Sequence, residues 1–312
     1  MTEPHSVEEQ RRALHEGALV LRMDELGTLV ITGADRQSWL NGLLTCDLAP
    51  LKAGAGAYGL SVAKNGKIQA EVWLVLEQDR VLLGAPRERV ALLGEVFERH
   101  LIMEDAELSD ASEELGWIFA VGPRAGELIE VGRGAGAHAG RADWTGLGGA
   151  IFAAPRSALE GVEAALCGRE GTARGSGEGW EALRVEHDVG RYGVDFDDQN
   201  YPQEASLEDR AVSFSKGCYL GQETVFMLQH RGKPKKRLVQ IEVEGEGELA
   251  VGAEVELPDG TAVGSVTSRT GSPVGGAVLA LGYVKFKHAQ AGVELRVAGR
   301  RASVRAARGA GA

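Results

Sequence analysis

The chain changes character at about residue 237, and that change limits the folds open to it. Before it, strand-like and helix-like segments alternate. Leu29-Val30-Ile31 and Val81-Leu82-Leu83 read as strands, with a helix around Val90, Leu93, Val96 and Phe97. A second such unit follows: strand Trp117 to Val121, a helix after Pro123, strand Ala150 to Ala153 and a helix from Ala158 to Cys167. After residue 237, short β-rich runs take over (Leu238 to Val243, Glu254 to Leu257, Val263 to Thr267, Ala277 to Val284, Val293 to Val297). They alternate with turns such as Pro258-Asp259-Gly260. The first pattern predicts two α+β lobes, the second a small terminal β-barrel or sandwich. The expected domains are 1–115, 116–234 and 235–312, with interleaving of the two lobes left open.

Local signals refine this. Ser6-Val7-Glu8-Glu9 fits a capping box opening an N-terminal helix. Asp35 is expected to cap a helix carrying Trp39, Leu40, Leu43 and Leu44 on one face. Tyr58 to Ala63 and Ile68 to Leu76 flank Lys64-Asn65-Gly66-Lys67, which predicts a hairpin closed by a type I′ turn. In its second strand Ile68, Ala70, Val72 and Leu74 share one face, and Gln69, Glu71 and Trp73 the other. The default reading of that other face is a solvated sheet surface, although a carboxylate beside an indole is also a candidate site. Gly168 to Gly179, Gly-rich and charged, reads as an exposed loop.

With 34 Lys+Arg against 45 Asp+Glu, the 312-residue chain carries a formal charge of −11. That argues against a broad electrostatic grip on nucleic acid. No basic, apolar leader is visible from Met1 to Ser6, and no apolar run approaches the ~18 residues of a transmembrane helix, so no membrane partner is expected. Cys46, Cys167 and Cys218 are widely spaced, with no C-x-x-C. The count excludes a disulfide framework and a self-contained zinc or iron–sulfur site, and points to a cytoplasmic protein with reduced thiols.

The most unusual segment is Ser213-Phe214-Ser215-Lys216-Gly217-Cys218-Tyr219-Leu220-Gly221-Gln222-Glu223-Thr224. Glycines beside Cys218 permit access to the sulfur. Lys216 and a helix beginning at Gly221 would favour its thiolate. The bland alternative is a structural cysteine in a turn; Cys46 and Cys167, in apolar helical contexts, read as core. His187 and His230 keep a cysteine hydrolase open without forming a hydrolase motif. The basic run from His230 to Arg237 could hold an anion such as a polyglutamate tail, touch RNA, or be a solvated linker. A second cluster, Arg184 to Asp195 with Tyr201-Pro202-Gln203-Glu204, offers carboxylates suited to the amino and amide edge of a heterocycle.

Lys216-Gly217-Cys218-Tyr219-Leu220-Gly221-Gln222-Glu223 resembles the signature of the YgfZ family, folate-binding proteins linked to iron–sulfur cluster maturation. Gly33-Ala34-Asp35-Arg36 with Trp39 to Thr45, Asn65-Gly66-Lys67-Ile68, Gly264 to Ser268 and Ala280-Leu281-Gly282-Tyr283 resemble further blocks of that family, in the same order. The family is related to the T-protein of the glycine cleavage system, a tetrahydrofolate-dependent aminomethyltransferase. The resemblance implies three domains in a ring around a central folate cavity. It also implies tetrahydrofolate, or a derivative, as cofactor, with Tyr192, Glu204 and Asp195 in the folate-contacting stretch and Glu71 and Trp73 on the hairpin strand. T-proteins carry a paired aspartate where this chain has Ala70-Glu71. A catalytic carboxylate misplaced by about 1 Å can lose on the order of a hundredfold in rate. The resemblance therefore implies a factor that assists synthesis or repair of iron–sulfur clusters, with Cys218 as working thiol tuned by Lys216. Its partners would be iron–sulfur client or assembly proteins, among them radical-SAM enzymes that thiolate tRNA, without stable nucleic-acid binding. The alternative is a folate-dependent one-carbon transferase using Glu71.

Overall fold

The computed structural model describes residues 4–270 and 275–306; Met1, Thr2 and Glu3 of the stretch read above lie outside them. In chain order the elements are α1 (Val7–Glu16), β1 (Ala18–Met23), β2 (Leu26–Thr32), α2 (Arg36–Asn41), β3 (Gly56–Val62), β4 (Ile68–Leu76), β5 (Val81–Pro86), α3 (Arg87–Glu98), β6 (Glu107–Asp110) and β7 (Leu115–Val121). There follow α4 (Ile129–Gly134), β8 (His138–Arg141), β9 (Gly149–Pro155), α5 (Leu159–Cys167), β10 (Thr172–Arg174), α6 (Gly177–Glu186), α7 (Glu208–Ala211) and α8 (Gln222–His230). The barrel strands are β11 (Lys236–Glu244), β12 (Glu254–Glu256), β13 (Ala262–Arg269), β14 (Ala277–Lys285), β15 (Glu294–Val297) and β16 (Arg300–Val304). The fold is two α+β lobes and a six-stranded β-barrel.

Two compact units divide the chain: 1–176 with 209–222, and 177–208 with 223–312. The first unit holds both lobes. One sheet runs β3-β4-β5-β2-β6, the other β10-β1-β7-β9-β8. The lobes interleave: the N-terminal strand β1 lies in the second sheet, antiparallel to β7 and parallel to β10. α2 and α3 cover the outer face of the first sheet, burying Leu40, Leu93 and Phe97 against Ala70, Val72 and Leu74. α4 and α5 cover the other, against Ile118, Ala120 and Phe152. The capping box at Ser6 and Glu9 is formed.

Four local expectations are corrected. The hairpin turn runs from Ala63 to Gly66 with only Gly66 at positive φ (81°), so it is not type I′, which needs two such residues; the ladder absorbs the difference in a register shift at Ser61/Val62. Asp35 makes no side-chain cap to α2, because its Oδ2 instead accepts the Asp105 N–H at 2.9 Å. The segment read as a loop from Gly168 to Gly179 contains β10 and the start of α6. Cys46 is buried as expected, but in the turn beyond α2 rather than in a helix.

The second unit packs α6 on the closed barrel β11-β14-β13-β12-β15-β16. Branched aliphatic side chains alternating along the strands fill its interior, among them Ile241, Val255, Val284 and Val297. No helix among the described residues is long and apolar enough to cross a membrane.

Candidate functional site

The face of β4 expected in solvent is covered. Glu71 and Trp73 are 4% and 5% exposed, because that face meets the second sheet of the same unit. Trp73 pairs across the hairpin with Tyr58, their rings 5.6 Å apart, and lies 5.3 Å from Phe119 and 6.3 Å from Trp144. Trp117 joins this aromatic layer and ties the sheets together, its indole N–H donating to Thr28 Oγ1 at 2.9 Å. Among these rings sits a carboxylate: Tyr58 donates its hydroxyl to Glu71 Oε1 at 2.6 Å. Burial, then the adjacent Glu71 carboxylate, holds the Tyr58 phenol well above its usual range, so it remains a donor. The Trp73 indole N–H is buried and has no acceptor among the described residues. A buried donor left open costs about 1–3 kcal/mol, which makes this atom a natural contact for a ligand acceptor.

Cys218 and Lys216 belong to the same unit, in a segment laid over the turn after α2. Ser213 N–H donates to Thr45 O (2.9 Å), Leu220 N–H to Gly42 O (3.0 Å), and Thr45 Oγ1 to Ala211 O (2.6 Å). Lys216 points inward between these anchors. Its ammonium donates to the carbonyls of Asn41 (2.6 Å), Leu44 (2.9 Å) and Cys46 (2.6 Å). An ammonium has three N–H donors, and all three are engaged. Lys216 is thus a buried clip on the backbone, its donors spent on carbonyls rather than on the Cys218 sulfur. Cys218 itself is exposed.

In the second unit Asp195 is likewise engaged. Its Oδ2 accepts from Arg184 Nη1 (2.6 Å) and the Arg191 N–H (3.0 Å), its Oδ1 from Thr267 (2.5 Å) and Ser268 (2.7 Å). Four bonds fill a carboxylate's acceptor positions, so Asp195 joins α6, the following loop and β13 and offers nothing to a ligand. Glu204 is different: it is buried, and its Oε2 takes one long bond, from the Tyr201 N–H at 3.3 Å. The Tyr283 hydroxyl is buried without a hydrogen-bond partner among the described residues, and its titration is pushed up by burial and then by the Glu204 carboxylate. Tyr192 is half-buried, edge-on to Phe196 at 5.9 Å.

Sequence reasoning missed Tyr58, Phe119, Trp144 and Tyr283. Only Tyr58 had a signal: pairing the hairpin strands across Asn65-Gly66 already sets it opposite Trp73.

The GCVT N-terminal domain family matches residues 3–150, and the glycine cleavage T-protein C-terminal barrel domain matches residues 236–309. The aminomethyltransferase of Herpetosiphon aurantiacus is 26% identical over 316 residues, covering 95% of this chain and 87% of that protein. A putative chloroplastic transferase of Arabidopsis thaliana is 24% identical over 302 residues, covering 90% of this chain and 68% of that one. The crystal structure of glycine cleavage system aminomethyltransferase T from Bartonella henselae superposes with a TM-score of 0.80 at 19% identity, over 98% of this chain and 90% of that chain, a likeness of fold. By its two domain matches the chain is GcvT-like, with a GCVT N-terminal domain followed by a glycine cleavage T-protein C-terminal barrel domain.

Proposed function

We propose that this chain is a tetrahydrofolate-binding factor that assists synthesis or repair of iron–sulfur clusters in client enzymes, radical-SAM tRNA-thiolating enzymes included, with Cys218 as its working thiol. The observation that carries it is the build of the Cys218 segment. A buried ammonium and two backbone bonds fix it in place, yet they leave the thiol facing solvent, where a macromolecule can reach it. The thiolate is the form that ligates iron or attacks sulfur. One thiol cannot hold a cluster, so the client supplies the remaining ligands. The proposed site of action is cytoplasmic.

The residues present fit a folate. Its pterin edge is rich in N–H donors, and Glu71, a buried carboxylate of the first unit, can accept from them. In the same unit the Trp73 N–H, open among the described residues, is a donor that suits the carbonyl and carboxylate oxygens of a folate. When bound, tetrahydrofolate supplies a nitrogen that carries a one-carbon unit. The chain's own contribution is to orient the ring system and keep water away with the aromatic layer of Tyr58, Trp73, Phe119 and Trp144.

A second reading, one-carbon transfer, is favoured by the Tyr58–Glu71 pair and by the relatives named aminomethyltransferase. There Glu71 holds or moves the proton at the reacting nitrogen. The deciding experiment assays a [4Fe–4S] enzyme in cells lacking this protein, resupplied with wild type, Cys218→Ala or Glu71→Ala. Cluster maturation predicts rescue by wild type and failure of Cys218→Ala. Normal client activity without the protein, with folate-dependent turnover of an amine donor lost in Glu71→Ala, would establish the transferase instead.

A further inference from the structure

α8 is a helix with little to hold it. Of its nine residues only Val225 is buried, and the Gln203 side chain donates to Val225 O at 2.8 Å and to Gln229 Oε1 at 3.4 Å. A helix shorter than about 12–15 residues is marginal in water without tertiary packing. Yet Phe226 and Met227 stand 42% and 43% exposed on it. The Phe226 ring already rests on His230, with centroids 4.2 Å apart.

The helix runs straight into the basic segment. No Asp or Glu occurs between Glu223 and Glu242, while five Lys and Arg do (Arg231, Lys233, Lys235, Lys236, Arg237), in a chain of net charge −11. Two of these are engaged: Arg237 pairs with Glu208 at 2.7 Å, and Lys236 lies over the Tyr283 ring at 4.0 Å. Arg231, Lys233 and Lys235 are exposed and have no acidic partner among the described residues. Pro234, buried between the two lysines, fixes the backbone that carries them.

We propose that α8 and residues 231–235 form a docking surface for an acidic partner protein. An apolar side chain of the partner covers Phe226 and Met227, and carboxylates around it pair with Arg231, Lys233 and Lys235. Aromatic and methionine side chains ringed by charge are the composition of a protein interface. A nucleic acid would use the cations but leave Met227 unmatched. The inference stands apart from the folate and iron–sulfur reading.

The test is fluorescence anisotropy on the full-length protein with three labelled probes: a helical peptide of Glu, Ala and Leu with the leucines on one face, the same peptide with every Leu replaced by Ala, and a uridine oligonucleotide. The leucine-bearing peptide should bind best, more weakly as salt is raised. The double variant Phe226→Ser/Met227→Ser and the double variant Lys233→Glu/Lys235→Glu should each weaken it about tenfold or more, circular dichroism being unchanged. Equal binding of the leucine-free peptide, tighter binding of the RNA, wild-type affinity in both variants, or no binding of any probe would overturn the proposal.

Discussion

Lys216 and Cys218 are two residues apart and serve opposite ends. Replacing Lys216 with Met leaves three carbonyls without their donor and should destabilise the protein by about 3 kcal/mol in urea unfolding. Cys218→Ser, at an exposed position, should stay within about 0.5 kcal/mol of wild type while losing client rescue. Cys46 sets an alkaline limit. Burial raises its thiol from 9.0 to about 11. As pH passes 9 the unfolded chain ionises first and binds fewer protons than the folded one. Stability from this group is therefore intact below 9 and lost as pH approaches about 11. Cys46→Ala should flatten the fall in unfolding midpoint between pH 9 and 10, before Tyr58 and Tyr219, raised in the same direction, begin to contribute. At this scale the sequence marked Cys218, Glu71 and Glu204 as candidates. It did not show the structural bonds of Lys216 to Asn41, Leu44 and Cys46, or those of Asp195 to Thr267 and Ser268, because these partners lie too far along the chain to be inferred.

Elements were legible where a period repeats. The capping box of α1, the apolar faces of β4 and α3 and the barrel strands all announce themselves. β10 did not: three residues between Gly171 and Gly175 show no alternation, and its partner β1 lies about 150 residues upstream. The hairpin face carrying Glu71 and Trp73 was read as solvated because polarity alone cannot reveal that a second sheet will cover it. The packing of β3 gives a further prediction. A Cβ on Gly59 would lie 2.5 Å from Cys46 Sγ and 2.8 Å from its Cβ. Gly59→Ala should therefore destabilise by about 1–3 kcal/mol, seen as a lower unfolding midpoint with an unchanged slope.

At the scale of the molecule, the change of pattern near residue 237 was enough to separate the barrel from the lobes, but not to show that the chain crosses between the two units three times, at 176/177, 208/209 and 222/223. Residues 209–222 return to the first unit, and the carbonyls of Asn41, Leu44 and Cys46 depend on them. A protein ending at residue 176 should melt at a distinctly lower temperature than one in which residues 209–222 are fused back through a flexible linker; equal melting would show the returning segment to be dispensable. The same bond carries a meaning for synthesis. Lys216 Nζ reaches back 175 residues to Asn41. On the ribosome the turn beyond α2 emerges long before Lys216, which lies 170 residues after Cys46, so the first lobe waits with its seat empty. The thiol cannot be offered to any client until that late segment arrives, and display of Cys218 thereby reports that most of the protein has been made and folded.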